Sequence, residues 1–547
     1  MAGPSAKQAS GRRRFWRGLV QAASLALFLW LIWAASPSAL GGGMPPGLFL
    51  RLDPLAAAAV LLAGRQWIPA LWPALLILGL ALFFGRVFCG WLCPFGATLD
   101  AASGLMNRYA GRPARPPANL PRRAKYLLLM AVLAAALAGV NLAHWAAPIP
   151  LVTRFYNLLL QPLALLAGHE ALSFSRPVLD SLDWPALSYL SLSPRRFASM
   201  YFLAVLFGLI FWLERVRPRF WCGCLCPAGA LLGLFSRRPL WRREARACTQ
   251  CGKCASSCLS DGGRPGECLT CQACVDLCPA CGFSLFRGTR AEPQGETIAL
   301  PSRRAFLAAA AGGLTLAGLE RSSLAGLLSP EASRGVLWPE THLRPPGALP
   351  EAAFLARCLR CGLCMRACPT NGLQPARLAA GLEGLFSPVL VPRRGPCEPD
   401  CNQCGRLCPT GAITPLALAE KRWAKIGGAV VHNNRCLAWA EDKSCLVCQE
   451  VCPNGAIEIV QAGELPTPAP VVKAFKCSGC GYCEQHCPVR VPAITIQPLG
   501  ALRLRRGSYI QAGQAAGLDL ASPHPHSTDF EPPPARYEGD LPPGFAE

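Results

Sequence analysis

The chain has 547 residues, too many for one ordinary core, and it is 52% hydrophobic against 16% charged, with a positive mean hydropathy. Its net charge of +22 would suit nucleic acid, but the basic residues alternate with apolar runs, which argues against that class. Its 30 cysteines cluster at three- and four-residue steps, which argues against a disulfide framework and for metal ligation.

In chain order, apolar stretches at about 15–35, 71–88, 125–145 and 199–213 approach the roughly 20 residues that a bilayer requires. They predict a four-helix transmembrane bundle. The apolar runs 55–62 and 155–167 carry Pro54 and Pro162 and are short, so they read as interfacial or re-entrant segments. Arg12, Arg13, Arg14 and Arg17 precede the first span. Arg108, Arg112, Arg115, Arg122, Arg123 and Lys125 lie between the second and third, and Arg215, Arg217, Arg219, Arg237, Arg238, Arg242 and Arg243 follow the fourth. This alternation places the N-terminus in the cytoplasm and leaves 36–70 and 146–198 on the opposite side. Arg195 and Arg196 are on the wrong side for that topology.

The domain reading is 1–220 for the membrane region, 221–300 for a cytoplasmic two-cluster module, 301–325 for a signal-like segment, 326–515 for a four-cluster domain and 516–547 for a disordered tail. The signal-like segment is Ser302-Arg303-Arg304-Ala305-Phe306-Leu307, followed by an alanine- and glycine-rich run to Leu319. Paired arginines before a short, weakly hydrophobic run form a twin-arginine export signal, suited to a domain that folds around its metal before crossing. A chance arginine pair before a buried helix is the bland alternative.

Of the 30 cysteines, 24 fall into six sets of four. These are Cys248, Cys251, Cys254 and Cys258; Cys268, Cys271, Cys274 and Cys278; and Cys358, Cys361, Cys364 and Cys368. The later three are Cys397, Cys401, Cys404 and Cys408; Cys436, Cys445, Cys448 and Cys452; and Cys477, Cys480, Cys483 and Cys487. Three closely spaced cysteines wrap one loop around one cubane, and a fourth, followed by proline, reaches the partner cluster. Six [4Fe–4S] clusters are therefore expected. Structural zinc, which uses paired Cys-x-x-Cys or Cys/His sets, fits the pattern poorly. Crossing in the first pair of sets predicts Cys248, Cys251, Cys254 and Cys278 on one cluster and Cys268, Cys271, Cys274 and Cys258 on the other. For the later four sets the spacing leaves adjacent and nested pairing equally open.

Cys89, Cys93, Cys222 and Cys226 lie in FCGWLCPFGA and WCGCLCPAGA, a repeated C-x3-C-P pattern at the ends of the second and fourth spans. They form a candidate extra metal site, a redox thiol pair or a quinone-adjacent switch, against the plain reading of helix termination by proline and glycine. Cys224 and Cys281 have no evident partner in the pattern. His144, at a helix end, reads as interfacial, and Asp53 and Arg154 as loop anchors or contacts to a quinone headgroup. No catalytic nucleophile, Rossmann fingerprint or P-loop is evident.

GRVFCGWLCPFG and RFWCGCLCPAGALLG resemble the NapH/MauN-type membrane ferredoxins. The twin-arginine start, RPPGALPEAAFLARCLRCGLCMRACP, PRRGPCEPDCNQCGRLCPTGAI and the two later sets resemble the NapG/MauM-type exported ferredoxins. The chain looks like the two partners fused, covering nearly all of it except the tail. The resemblance implies a multi-pass protein of the bacterial inner membrane with α+β bacterial-ferredoxin-like domains. It also implies electron transfer from the quinol pool to an unidentified periplasmic redox protein. A redox-sensing or maturation factor and a wholly cytoplasmic polyferredoxin are the rival readings.

Overall fold

The computed structural model describes residues 6–35, 44–110, 123–181, 184, 195–237, 239–245, 258, 266–272, 274, 281–285, 301–321, 342–377, 381–461 and 466–520. Two compact units emerge. The first comprises 1–391, 402–417 and 503–505, and the second 392–401, 418–502 and 506–547.

The first unit is helix-rich. Phe15–Ala34 and Pro148–Ser181 are long and apolar enough to cross a bilayer, while Pro54–Gly64, Pro69–Phe84, Ala124–Leu137 and Met200–Leu213 are apolar helices of 10–17 residues. Met200–Leu213 buries only Leu203, Phe207 and Ile210 and exposes Tyr201, Val205 and Trp212.

The run 55–62 forms the helix Pro54–Gly64, whose Leu55, Ala59 and Ala63 pack with Tyr126, Leu129 and Val132 in one core. Asp53 caps it, accepting from Leu55 N at 3.0 Å and Ala56 N at 3.2 Å, and also accepts from Ile149 N at 3.4 Å. The run 155–167 is not a short re-entrant piece but lies within a continuous helix from Pro148 to Ser181. A π turn at Tyr156–Leu160 directly precedes Pro162. That turn shifts the hydrogen-bond register, so the proline's missing N–H interrupts an already altered ladder.

The segment expected to be an export signal folds as the helix Arg303–Arg321, with Ser302 Oγ accepting from Ala305 N at 3.3 Å. It packs along Ala124–Leu137. A Cβ on Gly313 would lie 2.8 Å from Ala131 Cα, and Ala317 is buried with Ala135 and Val140. Contacts 313 to 131 and 317 to 135 advance together, so the two helices run parallel, backbone against backbone over small residues.

Strands Trp241–Ala245 and Cys281–Leu285 pair antiparallel, Ala245 opposite Cys281, closing the chain that carries the first two cysteine sets. The second unit holds two antiparallel pairs, Gly428–Val431 with Ile494–Gln497 and Ile457–Val460 with Ala469–Val472, each beside cysteine loops and short helices. Helices Leu418–Trp423 and Tyr509–Ala515 pack through Gly513 on the Trp423 ring, and Glu420 accepts from Tyr509 N at 2.6 Å. Residues 516–520, expected to begin a disordered tail, instead pack on this unit. Asp519 N donates to Phe475 O at 2.9 Å and Leu520 is buried. The rest of that tail, 521–547, lies outside the described residues.

Candidate iron–sulfur sites

Among the described residues, the Cys358–Cys364 and Cys477–Cys483 loops each turn through a left-handed glycine into a short helix. In Cys358–Cys364 the turn needs Gly362 at φ 83°, and in Cys477–Cys483 it needs Gly481 at φ 91°. A Cβ on Gly481 would also stand 2.5 Å from Pro392 Cβ, so only glycine fits. The helices Leu363–Ala367 and Tyr482–His486 then carry the third cysteine of each set.

The loops gather thiols in crossed sets. A cavity of about 30 Å³ is lined by Cys358, Cys361, Cys364 and Cys408. In the second unit a cavity of about 30 Å³ is lined by Cys436, Cys445, Cys448 and Cys487, and another of about 20 Å³ by Cys452, Cys477, Cys480 and Cys483. Sets five and six thus exchange their fourth cysteines, and set three takes its fourth from set four. Cys258, Cys271 and Cys274 all act electrostatically on Cys268, which places the four near one another. Cys404 packs beside Cys358 and Cys408 in the first unit, and Cys397 N donates to Cys480 O at 2.7 Å in the second. Cys368 lies 3.4 Å from the Thr370 hydroxyl. Cys248, Cys251, Cys254 and Cys278 lie outside the described residues.

Prolines after the fourth cysteines return the chain so that a later N–H reaches sulfur. Ile413 N donates to Cys408 Sγ at 3.5 Å, Ala456 N to Cys452 Sγ at 3.2 Å and Ala493 N to Cys487 Sγ at 3.4 Å. Such bonds stabilise negative sulfur.

Burial, reinforced by the neighbouring thiolates Cys358 and Cys408, pushes the Cys361 thiol up to about 12. Burial, with Cys452 and Cys477 nearby, pushes Cys480 up to about 12. Four thiolates so placed repel one another unless a cationic core neutralises them. Buried pockets lined by four cysteines each fit a [4Fe–4S] group.

The two C-x3-C-P repeats are built alike. Each passes through a π turn, Phe88–Leu92 or Trp221–Leu225, before Cys93 or Cys226 opens the next helix. Cys93 lies in electrostatic reach of Cys89 and Cys222, and Cys226 of Cys89 and Cys93, so the two repeats lie near one another. Arg86 and Arg219, each three residues before its repeat's first cysteine, cross over. Arg219 packs on Gly96 and Arg86 on Gly229. Arg219 donates to Cys89 O and, through two nitrogens, to Asp100, all at 2.8 Å. Arg86 donates to Glu267 at 2.7 Å, and Glu267 also accepts from Lys125 and, at 2.8 Å, from the Tyr126 hydroxyl. Glu267 immediately precedes Cys268, so this network joins the repeats to the nearest ferredoxin-type loop. The sequence reading missed these arginines, although the shared R-x-x-C-G offset is visible in both repeats.

The opposite end of Ala124–Leu137 holds the Cys358 loop. Asn141 Nδ2 donates to Ala356 O at 3.0 Å, Arg360 donates to Asn141 O at 3.0 Å, and Asn157 Nδ2 donates to Cys361 O at 3.4 Å. His144, expected at an interface, is instead fully buried, its Nδ1 2.8 Å from Arg360 Nη1. Arg195, which seemed misplaced, donates to Arg366 O in the helix after Cys364.

Comparison with known proteins follows the same division. Residues 66–113 and 199–245, which contain the two C-x3-C-P repeats, match a family described as a 4Fe-4S binding domain. Residues 443–491 match a 4Fe-4S dicluster domain, and 355–374 a further 4Fe-4S binding domain. A methylamine utilization ferredoxin-type protein, MauM, of Methylorubrum extorquens is 38% identical over 206 residues, 36% of this chain and 90% of the relative. The chain belongs to the MauM/NapG ferredoxin-type family. The ferredoxin-type protein NapG of Escherichia coli is 35% identical over 184 residues, 32% of this chain and 79% of its own length. No solved structure matches. The protein is an iron–sulfur electron-transfer protein of the [4Fe–4S] ferredoxin type.

Proposed function

We propose that this chain joins a NapH/MauN-type membrane part to a NapG/MauM-type exported part, and relays electrons from quinol to a periplasmic redox protein through six [4Fe–4S] clusters. The six cysteine sets would supply the ligands, exchanged as the cavities indicate, and the four C-x3-C-P thiols a further metal site. A bound [4Fe–4S] group supplies one-electron transfer without bond rearrangement. The chain's own part is to hold thiolates close together, direct N–H groups at sulfur and keep water away.

One observation carries this reading. The helix Ala124–Leu137, about 21 Å long at 1.5 Å per residue, has a cysteine loop tied to each end. Lys125 at its start binds Glu267 beside Cys268, and Asn141 beyond its end binds the Cys358 loop. The helix Arg303–Arg321 runs parallel to it, in keeping with Arg303 and Arg304 on the cytoplasmic side and the later sets on the far side. Apolar side chains exposed on Met200–Leu213 favour a lipid surround. The test is cluster reduction by quinol in anaerobic proteoliposomes, paired with protease accessibility of the C-terminal half in spheroplasts. Reduction with external cleavage is expected. Fully loaded protein that quinol leaves oxidised would overturn the quinol step, and a protected C-terminal half would overturn export.

A further inference from the structure

Arg154 is fully buried in the first unit, and its bonding is unusual for a buried cation. Its Nε donates to Arg360 O at 3.1 Å and its Nη2 to His144 O at 3.0 Å. The guanidinium lies 4.5 Å from the centre of the Phe386 ring, and Nη1 has no hydrogen-bond partner. No carboxylate reaches it among the described residues. Other buried arginines of this unit are neutralised: Arg86 by Glu267, Arg219 by Asp100 and Arg344 by Glu351. A second buried cation, Arg360, lies beside it and lines the cavity of Cys358, Cys361, Cys364 and Cys408, and the groups that favour the Arg154 charge are Cys361 and Cys358 once they ligate as thiolates.

A buried cation without a counter-ion is costly, and removing it from water is recovered only if a negative group lies close by. Four thiolates around a [4Fe–4S] core leave a net negative group, which becomes more negative by one charge on reduction. In a low-dielectric surround a fixed positive charge favours that added electron. We propose that Arg154 is the counter-charge of the cluster held by Cys358, Cys361, Cys364 and Cys408, and that it makes this cluster easier to reduce. The inference rests on the cluster reading above. It gives the loop docked at the end of Ala124–Leu137 a reason to accept electrons: the positioning charge belongs to the helical part, the thiols to the ferredoxin part.

The test is a potentiometric titration of the anaerobic full-length protein followed by EPR, with the signal assigned by its response to Cys408→Ser. In Arg154→Gln the reduced-to-oxidised ratio of that signal at fixed potential should fall about tenfold, equivalent to 59 mV for one electron. In Arg154→Lys, which keeps the charge, the change should stay within about threefold. Unchanged ratios in an Arg154→Gln protein with full iron and sulfide would overturn the proposal. Should Arg154→Gln not assemble, the unsubstituted protein still decides. The signal responding to Cys408→Ser must titrate above the one responding to Cys487→Ser, whose cavity is walled by Val431, Leu437, Val447 and Ile494 with no charged side chain. The reverse order overturns the role of Arg154, whereas absence of iron and sulfide from the unsubstituted protein would sink the cluster reading itself.

Discussion

The ferredoxin loops of the second unit and the paired C-x3-C-P repeats of the first bring cysteines near one another by opposite routes. In the loops, three cysteines come from one short stretch and the fourth from its neighbour, as Cys487 does for Cys436, Cys445 and Cys448. In the repeats, two cysteines come from each of two distant segments, and an arginine from each segment crosses to the other. The first design depends on local backbone geometry. The second depends on tertiary packing of helices and on buried ion pairs. Damage should therefore stay local in the loops and spread in the repeats.

The largest effect expected is loss of one cluster. Cys487→Ser should alter the same EPR signal as Cys448→Ser and leave the signal altered by Cys483→Ser in place. If Cys487→Ser and Cys483→Ser affect one common signal, fourth ligands are not exchanged. Next in size is Arg86→Ala, which leaves Glu267 with Lys125 and Tyr126 alone in a buried site. Breaking a buried pair in this way costs about 3–5 kcal/mol, read as a lowered thermal midpoint in detergent. A change as small as a surface ion pair gives would refute the crossed-arginine description of the repeats. Gly313→Leu should cost about 1–3 kcal/mol by forcing Arg303–Arg321 away from Ala131, and Gly312→Leu, with open space at its Cβ, should cost far less. Equal effects would show that the two helices do not touch. Of similar size is Gly481→Ala, where roughly 1–2 kcal/mol from the left-handed backbone adds to a Cβ 2.5 Å from Pro392 Cβ, with the shift confined to the signal of the Cys477, Cys480 and Cys483 loop.

What the sequence disclosed follows the same contrast. The cysteine triplets announce themselves because three ligands of a cubane fall within seven residues, so spacing alone points to the chemistry. Which set lends its fourth cysteine to which is a tertiary fact, and spacing left it open. Apolar runs marked the helices, but Pro162 misled, because a π turn upstream accommodates it. His144 and Arg154 were read as peripheral since they sit at segment ends; their burial comes from the Cys358 loop, some 200 positions away in sequence. Arg86 and Arg219 were legible in principle through their equal offsets from Cys89 and Cys222, but Arg219 was counted as a topology-setting charge and Arg86 was not singled out.

All of this depends on thiolates enclosing iron and sulfide rather than a lone metal. The most direct measurement is iron, zinc and acid-labile sulfide in anaerobically purified full-length protein, with EPR after reduction. The account predicts iron and sulfide in nearly equal amounts, little zinc and signals of reduced [4Fe–4S] centres. Stoichiometric zinc, or protein without labile sulfide, would contradict it.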